Sequence, residues 1–498
     1  MKLRYRPGGR EKPRERAFSD EELKASSSRS PKVKALPCAA EVIRSTRGTT
    51  VCPRQDKAWV LAVAVLGSTM AYIDESVVNV ALPKIEADLQ TTLASMQWVI
   101  NAYTLCMSAL LLIGGAAADG FGRRKLFLGG IITFALASIA CGSAPSVAAL
   151  VAARAVQGLG AALLIPCSLA IIGAAFDERE RGAAIGIWSG ASALAAGAGP
   201  LLGGLLTDHL SWRAVFFINP LIAIPTLSIA VRRLPESADP AARVGLDWPG
   251  AALVLGGLAS LVYGLISAAT LGWRDVTVVG SLTAGALLLL GFALEERRSV
   301  APMVPLALFG SAGFSGVNLL TLLLYGALGG AFFFLPFLLI EAHGFSATAA
   351  GAVYLPFTLV IAVLSRWSGG LVDRFGARWP LIIGPIVAAA GFALLAILSG
   401  EQRYGVYLAP MLVLGLGMAI TVTPLTTTVI NSVKHGETGT ASGINNVVAA
   451  VASLLAIAVL GTLVANSLVS TARAVMATAA ALALAAAAVT ALTIPSKT

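Results

Sequence analysis

Fourteen continuous apolar stretches follow one another between residues 58 and 494 of this 498-residue chain. Each is close to the roughly 20 residues that an α-helix needs to cross a bilayer. Strands of a membrane barrel would alternate apolar and polar residues over about ten positions, so these stretches predict helices. The stretches lie at about 58–80, 97–118, 126–144, 147–170, 183–206, 214–231, 248–271, 275–294, 314–340, 348–372, 379–399, 404–430, 440–465 and 472–494.

Composition agrees with an all-α polytopic membrane protein. Hydrophobic residues make up 57% of the chain and charged residues only 12%, whereas about a quarter of a soluble protein is charged. The 51 glycines fit the same class, because small residues allow membrane helices to approach closely. The balance excludes a soluble globular enzyme.

Residues 1–57 differ from the rest, with 15 Lys and Arg against 7 Asp and Glu. They have no apolar period and no apolar core after a basic start, which predicts a disordered basic cytoplasmic tail and no secretory signal. The remaining chain is nearly neutral, so its charge does not indicate a nucleic-acid partner. The tail is a solvated arm that could touch anionic lipid, or an over-extended start of translation.

Basic residues between the stretches set the expected orientation. With the tail inside, the inner connections hold thirteen Lys and Arg and the outer ones five. We therefore expect both termini in the cytoplasm. The five cysteines lack CxxC spacing and the three histidines are scattered, so no metal or other cofactor is expected. No GxxxxGK[ST] loop is present to indicate ATP as the energy source.

A repeated segment divides the chain. GAAADGFGRRK (115–125) joins stretches two and three, and GGLVDRFGARW (369–379) joins stretches ten and eleven. Two six-helix halves alone would place the copies six helices apart, but they are eight apart, so two helices are inserted between the halves. We predict a tail at 1–57, a first half at 58–231, an insert with two helices at 232–305 and a second half at 306–498. Repeated halves around a central site are typical of secondary transporters.

The first stretch contains two acidic residues in YIDESVVNVALP (72–83), namely Asp74 and Glu75. A charged carboxylate inside hydrocarbon is costly, which favours the protonated form and indicates a candidate protonation site. The alternatives are an acid that reaches the membrane interface from the helix end and an acid locked in a structural ion pair.

The fourth stretch carries Arg154, Gln157 and Gly158 in LVAARAVQGLGAALLIP (150–166). Residues three and four apart share a helix face. A guanidinium stays charged, so within the membrane it requires an acceptor. A carboxylate that exchanges Arg154 for a proton would couple proton movement to conformation. A static strut between helices is the alternative.

The fifth stretch contains a run of glycines around one proline, ending in GPLLGG (199–204). Gly199 and Gly203 are four residues apart and form a smooth face for close packing, and Pro200 removes a backbone hydrogen bond. Gly204 extends the run. Ordinary packing of membrane helices would use the same residues.

The two copies of the repeat hold the candidate gate residues on the inner side. Glycines permit sharp turns, and the aspartates can pair with basic groups or helix N-termini. Such contacts could latch this face in one state and break in another, or the basic residues could serve topology alone. The candidates are Gly115, Asp119, Gly122, Arg123 and Arg124 in the first copy, and Gly369, Asp373, Arg374, Gly376 and Arg378 in the second.

Together these motifs resemble the major facilitator superfamily, in its 14-helix drug:proton antiporter branch, over about residues 58–470. The resemblance implies proton coupling at Asp74 and Arg154, whereas Glu75 occupies a position that the family leaves variable. It also implies that the glycine–proline run marks an exporter. Three positions depart from the family pattern: Ala195 replaces a glycine, and Gly120 and Ala377 replace basic residues.

The resemblance implies a transporter and no enzyme: a monomeric, multi-pass protein of the cytoplasmic (inner) membrane, driven by the proton gradient. We expect efflux of small lipophilic or cationic compounds, such as drugs or antibiotics, in exchange for protons. An exporter of one specific metabolite is the alternative, and an uptake symporter of the same fold is a further one. The expected partners are a small-molecule substrate, protons and the lipid bilayer.

Overall fold

The computed structural model describes residues 54–237, 246–299, 302–434, 437–463 and 467–494. Most of the predicted tail, residues 1–53, therefore lies outside the described residues. The first helix begins at Arg54, within the tail as the sequence delimited it.

Fourteen helices in the described part of the chain are long and apolar enough to cross a membrane, which confirms the predicted number. They are α1 (Arg54–Asp88), α2 (Leu93–Phe121), α3 (Arg123–Gly142), α4 (Val147–Ala175), α5 (Glu178–His209), α6 (Ala214–Arg233), α7 (Trp248–Leu271), α8 (Val276–Arg298), α9 (Ala312–Phe337), α10 (Leu355–Phe375), α11 (Arg378–Leu398), α12 (Leu408–Asn431), α13 (Thr438–Leu460) and α14 (Leu468–Thr493).

The tenth apolar stretch is interrupted. A short helix, Ala347–Ala352, precedes α10. Pro356 occupies the first turn of α10, where a proline is tolerated because the backbone N–H groups of the first turn have no intrahelical acceptor. Before the short helix, α9 ends in one π turn at Leu338–Ala342. The connection between α9 and α10 therefore places a separate helix N-terminus at this end of the bundle.

Helices α1–α6 and α9–α14 form two halves with matching contacts. In the first half α4 packs against α2 and α3, and α1 packs against α5 and α6. In the second half α12 packs against α10 and α11, and α9 against α13 and α14. Each helix thus corresponds to the helix eight positions later, as the repeat predicts. The inserted helices α7 and α8 pack on each other, and α7 contacts α2 and α13 at the side of the molecule.

The halves meet along two seams, α2 with α13 and α5 with the short helix and α10. At the end of the bundle where α5 ends, which we call the closed end, Asp208 accepts hydrogen bonds from the backbone N–H groups of Ala347 (3.1 Å) and Thr348 (2.7 Å). Gln97 Nε2 also donates to the Ile457 carbonyl at 2.7 Å. The orientation expected from the sequence has the closed end facing out of the cell, and this stays a prediction.

The spacing between α5 and the second half changes along the length of α5, as its glycines indicate. A Cβ on Gly204 would overlap the Ala347 carbonyl, and one on Gly197 would overlap the Thr358 side chain. Nearer the other end of α5, a Cβ on Gly186 or Gly190 would meet no atom within 4 Å. The two halves are therefore in tight contact at the closed end and separate along α5 toward the opposite end.

Candidate functional site

Asp74 and Arg154, far apart in sequence, form a buried ion pair between α1 and α4. Asp74 is 0% exposed and Arg154 is 1% exposed. The second carboxylate oxygen, Oδ1, accepts from Gln157 Nε2 at 2.7 Å and from Asn219 Nδ2 at 2.7 Å. Three side chains thus donate to one carboxylate, which satisfies a charge that hydrocarbon would otherwise penalise.

The guanidinium of Arg154 is also held by groups of α2 and of its own helix. Its Nε donates to the Val99 carbonyl of α2 at 3.1 Å, and its Nη1 donates to Gln157 Oε1, one turn along α4, at 2.8 Å. Its carbon Cζ lies 4.2 Å from the centre of the Tyr103 ring, within the range of a cation–π contact. A Cβ on Gly158 would overlap the Tyr103 carbonyl, so the glycine allows α4 to approach α2 closely enough for these contacts.

Two residues of this network were not among the sequence candidates. Asn219 of α6 and Ser138 of α3 are fully buried; Asn219 Nδ2 donates to Ser138 Oγ at 3.0 Å, and Gln157 Nε2 donates to it at 2.6 Å. A buried amide within an apolar helix is a recognisable signal, and Asn219 stands in the segment SWRAVFFINP (211–220). Its partner could not be identified, because the contact joins positions 145 residues apart.

A cavity of about 690 Å³ lies between the halves, beside this network. The volume is in the usual range for a small-molecule site. Residues of α1, α5, α9 and α10 supply most of its wall, and the surface is largely apolar with several aromatic rings. Glu75, Ser76 and Asn79 line it from α1. Asp74 is not among the lining residues, so the structure separates the two neighbouring acids.

The glycine–proline run of α5 packs against both halves. A Cβ on Gly199 would overlap Ser76 Oγ, and one on Gly203 would overlap the Val77 carbonyl, so both glycines of α5 pack directly against α1. Gly204 faces the short helix of the other half, and the Pro200 carbonyl lies against Gly351. Pro200 also lines the cavity. Gly199, Gly203 and Gly204 thus allow close packing between helices, and Pro200 is the residue of GPLLGG that reaches the cavity among the described lining residues.

One arginine of each gate loop binds within its own half. Arg124 Nη2 donates to the Val231 carbonyl at the end of α6 at 2.6 Å, and Arg378 Nη2 donates to the Ala491 carbonyl at the end of α14 at 2.8 Å. Since α6 and α14 are equivalent helices, both repeats use an arginine at a helix start to bind the C-terminal end of the last helix in the half. A basic group is favourable there because the helix dipole is negative at that end.

One glycine of each loop takes a backbone conformation that other residues rarely adopt. Gly122 has φ 105° and Gly376 has φ 71°. The first loop also contacts the insert: Arg123 N donates to the Ser237 carbonyl at 2.9 Å, and Arg124 N donates to Glu236 Oε1 at 3.2 Å.

The remaining gate candidates lie within helices. Gly115 and Asp119 belong to α2, and Gly369, Asp373 and Arg374 belong to α10. The side chains of Asp119 and Asp373 lie outside the described part. A latch between the two halves at this end stays a prediction.

Two repeated six-helix halves that enclose a cavity within a membrane-spanning bundle define a multi-pass transport protein for small molecules. The sequence model of the Major Facilitator Superfamily matches residues 64–457. The chain belongs to this superfamily.

Named relatives and solved structures agree with this assignment. The tetracenomycin C resistance and export protein of Streptomyces glaucescens is 36% identical over 406 residues, which are 82% of this chain and 75% of that protein. The multidrug resistance protein Stp of Mycobacterium tuberculosis is 35% identical over 407 residues, with 82% and 75% covered. The crystal structure of a D-xylose–proton symporter shares the fold, with TM-score 0.64, 16% identity and 88% of this chain and 98% of that chain covered.

Proposed function

We propose that this protein exports small lipophilic or cationic compounds across the cytoplasmic membrane in exchange for protons. The observation that carries the proposal is the buried Asp74–Arg154 pair beside the cavity between the halves. The direction is supported by the relatives, whose names describe export and resistance, and by the glycine–proline run of α5.

Protonation of Asp74 is the proposed coupling step. The ionised carboxylate neutralises Arg154 and receives hydrogen bonds from Gln157 and Asn219. A proton on Asp74 removes this charge and leaves a buried guanidinium without a counter-ion, and breaking such a pair costs about 3–5 kcal/mol. The network must therefore rearrange, and α1 and α4, which carry the pair, move with it. A proton thus favours one arrangement of the first half over another.

Alternating access supplies the second part of the mechanism. In the described state the halves touch at the closed end, through Asp208 and the short helix. With both termini in the cytoplasm, the closed end faces outward and the cavity receives substrate from the inside. Outward opening then requires that the Asp208 contacts break, after which substrate leaves and a proton enters from the more acidic side.

Substrate breadth has two readings, and the relatives include both a protein named for one antibiotic and one named for multidrug resistance. An exporter of one metabolite would use the same pair and the same cavity. A panel of unrelated lipophilic compounds distinguishes the readings, since a broad exporter moves several of them and a specific one does not.

Reconstitution into liposomes tests the proposal. The purified protein is placed in vesicles with an imposed pH gradient, and movement of the lipophilic cation tetraphenylphosphonium is recorded together with proton flux. We expect the cation to move against the direction of the protons, and to stop when an ionophore collapses the gradient. Movement of both in the same direction indicates a symporter, and unchanged accumulation without a gradient rules out proton coupling.

A further inference from the structure

Asp74 and Glu75 are neighbours in sequence and have opposite surroundings. Consecutive residues of a helix point about 100° apart. Asp74 therefore faces α4 and α6, where its carboxylate is fully hydrogen-bonded. Glu75 faces the cavity, and its carboxyl group makes no hydrogen bond or ion pair with the described residues.

Glu75 belongs to a polar line along the cavity side of α1. Tyr72, Glu75, Ser76 and Asn79 follow the helical spacing of three, four and seven residues, and all four line the cavity. The hydroxyl of Ser76 is directed to the Tyr72 and Ile73 carbonyls, and the Asn79 amide to the Glu75 carbonyl. The polar groups of Ser76 and Asn79 therefore donate to carbonyls of α1 itself, and the Glu75 carboxyl group is available to a ligand in the cavity.

The rest of the cavity wall favours a positively charged apolar ligand. Among the described lining residues, Glu75 is the one carboxyl group, and no lysine, arginine or histidine is present. Aromatic rings lie on the opposite wall: Phe332 packs edge to face with Tyr354 at 5.0 Å and with Phe357 at 5.1 Å between ring centres. Aromatic faces attract organic cations, and most strongly where water is excluded.

The other ionisable groups near Glu75 are already accounted for. Arg154 and Asp74 act on it electrostatically from behind the cavity wall, but they neutralise each other in their ion pair. The phenols of Tyr72 and Tyr103 are also close enough to interact with it, and Tyr325 lies across the cavity. Phenols are uncharged at neutral pH, so Glu75 is the group that exchanges a proton in response to a ligand.

We propose that Glu75 is the binding site for the charged centre of organic monocations, and that it exchanges its own proton for the ligand. A protonated Glu75 and a cation give a carboxylate–cation ion pair in the cavity, and the displaced proton leaves to the solvent. Neutral substrates occupy the same cavity and leave the proton in place. This assignment rests on the proposed function of the cavity, but it separates Glu75, which contacts the ligand, from Asp74, which couples protons to conformation.

Proton release during binding tests this assignment directly. The purified protein is titrated in weakly buffered detergent solution with tetraphenylphosphonium, a permanent cation, and with neutral triphenylphosphine oxide, while a pH dye records released protons. For the wild type we expect up to one proton per bound cation and none for the neutral ligand. For Glu75→Gln we expect no release and at least about tenfold weaker cation binding, because a charge-assisted contact is lost, with unchanged binding of the neutral ligand.

Three further variants make the result decisive. Glu75→Asp keeps the acid, so it should retain proton release even if the cation binds more weakly. Glu86→Gln changes an acid of the same helix that is not among the cavity-lining residues, and should behave as the wild type. Asp74→Asn should retain the release that accompanies cation binding, whatever its effect on transport.

Two outcomes overturn the assignment. Equal weakening of both ligands in Glu75→Gln and Glu75→Asp means that the residue only shapes the cavity. Undiminished proton release in Glu75→Gln means that the proton comes from another group. Neither outcome affects the transport proposal, which depends on Asp74 and on gradient-driven movement in vesicles.

Discussion

The contact between Asp208 and the short helix gives the sharpest prediction about the conformational cycle. Asp208 lies at the end of α5 in the first half and accepts from Ala347 N and Thr348 N, the first backbone donors of a helix in the second half. A carboxylate at a helix N-terminus satisfies unpaired N–H groups and interacts favourably with the helix dipole. This interaction exists only while the closed end is closed, so Asp208→Ala should destabilise the closed arrangement relative to the open one.

The size of the effect follows from the two hydrogen bonds. Each bond to a charged acceptor contributes about 1.5–3 kcal/mol when shielded, but water can reach this end of the molecule and replace part of the loss. A net loss of about 2 kcal/mol changes the ratio of the two arrangements about 30-fold. An open arrangement present in about one molecule in a hundred would rise to about one in four.

Distance measurements between spin labels record this change. Ser143, between α3 and α4, and Gln402, between α11 and α12, are exposed, belong to different halves and lie at the closed end. With the native cysteines replaced, labels at these two sites should show a new population at longer distance in Asp208→Ala. Asp275→Ala is the matched control, because Asp275 also caps a helix N-terminus, at Thr277 N (2.8 Å), but within the peripheral α7–α8 pair. Identical distance distributions in the wild type and Asp208→Ala would refute the reasoning.

Two further substitutions test the packing of the site. Gly203→Val should abolish efflux in cells while the protein still reaches the membrane, because its side chain would overlap the Val77 carbonyl. Gly186→Val is the control on the same helix; a Cβ there meets no atom within 4 Å, so this variant should transport normally. Equal activity of both variants would contradict the close α1–α5 contact. Asn219→Leu removes one of three donors to Asp74 and should lower the free energy of unfolding by about 1–3 kcal/mol. The measurement is the thermal midpoint in detergent, which should fall. An unchanged midpoint would mean that Asn219 does not support the carboxylate.

The sequence was sufficient for the architecture and for the central ion pair. Hydropathy gives the fourteen spans because a bilayer imposes one length on every helix, and the eight-helix offset of the repeat places the inserted pair. A buried guanidinium requires a carboxylate, and the resemblance to the family selected Asp74 rather than Glu75 as the partner of Arg154. The roles of Asn219 and Ser138 depend instead on which helices surround α1, and no local pattern contains that information.

The contacts of the gate-loop arginines required the structure for a different reason. The arginines of the gate loops bind carbonyls at the ends of α6 and α14, and composition cannot tell this from a latch across the halves, since both use the same side chains. The division between Asp74 and Glu75 could have been found in the sequence. The spacing of Tyr72, Glu75, Ser76 and Asn79 places Glu75 on a polar face of α1, separate from the face of Asp74.

The most direct test of proton coupling compares Asp74→Asn with the wild type in the same vesicles. The substrate is triphenylphosphine oxide, a neutral ligand that leaves the proton of Glu75 in place. Exchange of the labelled for the unlabelled compound needs only binding and the conformational change, whereas accumulation driven by a pH gradient also needs the coupling acid. We predict that Asp74→Asn retains exchange and loses gradient-driven accumulation. Accumulation at the wild-type level in Asp74→Asn would contradict the account, because protons would then be coupled to transport without this carboxyl group.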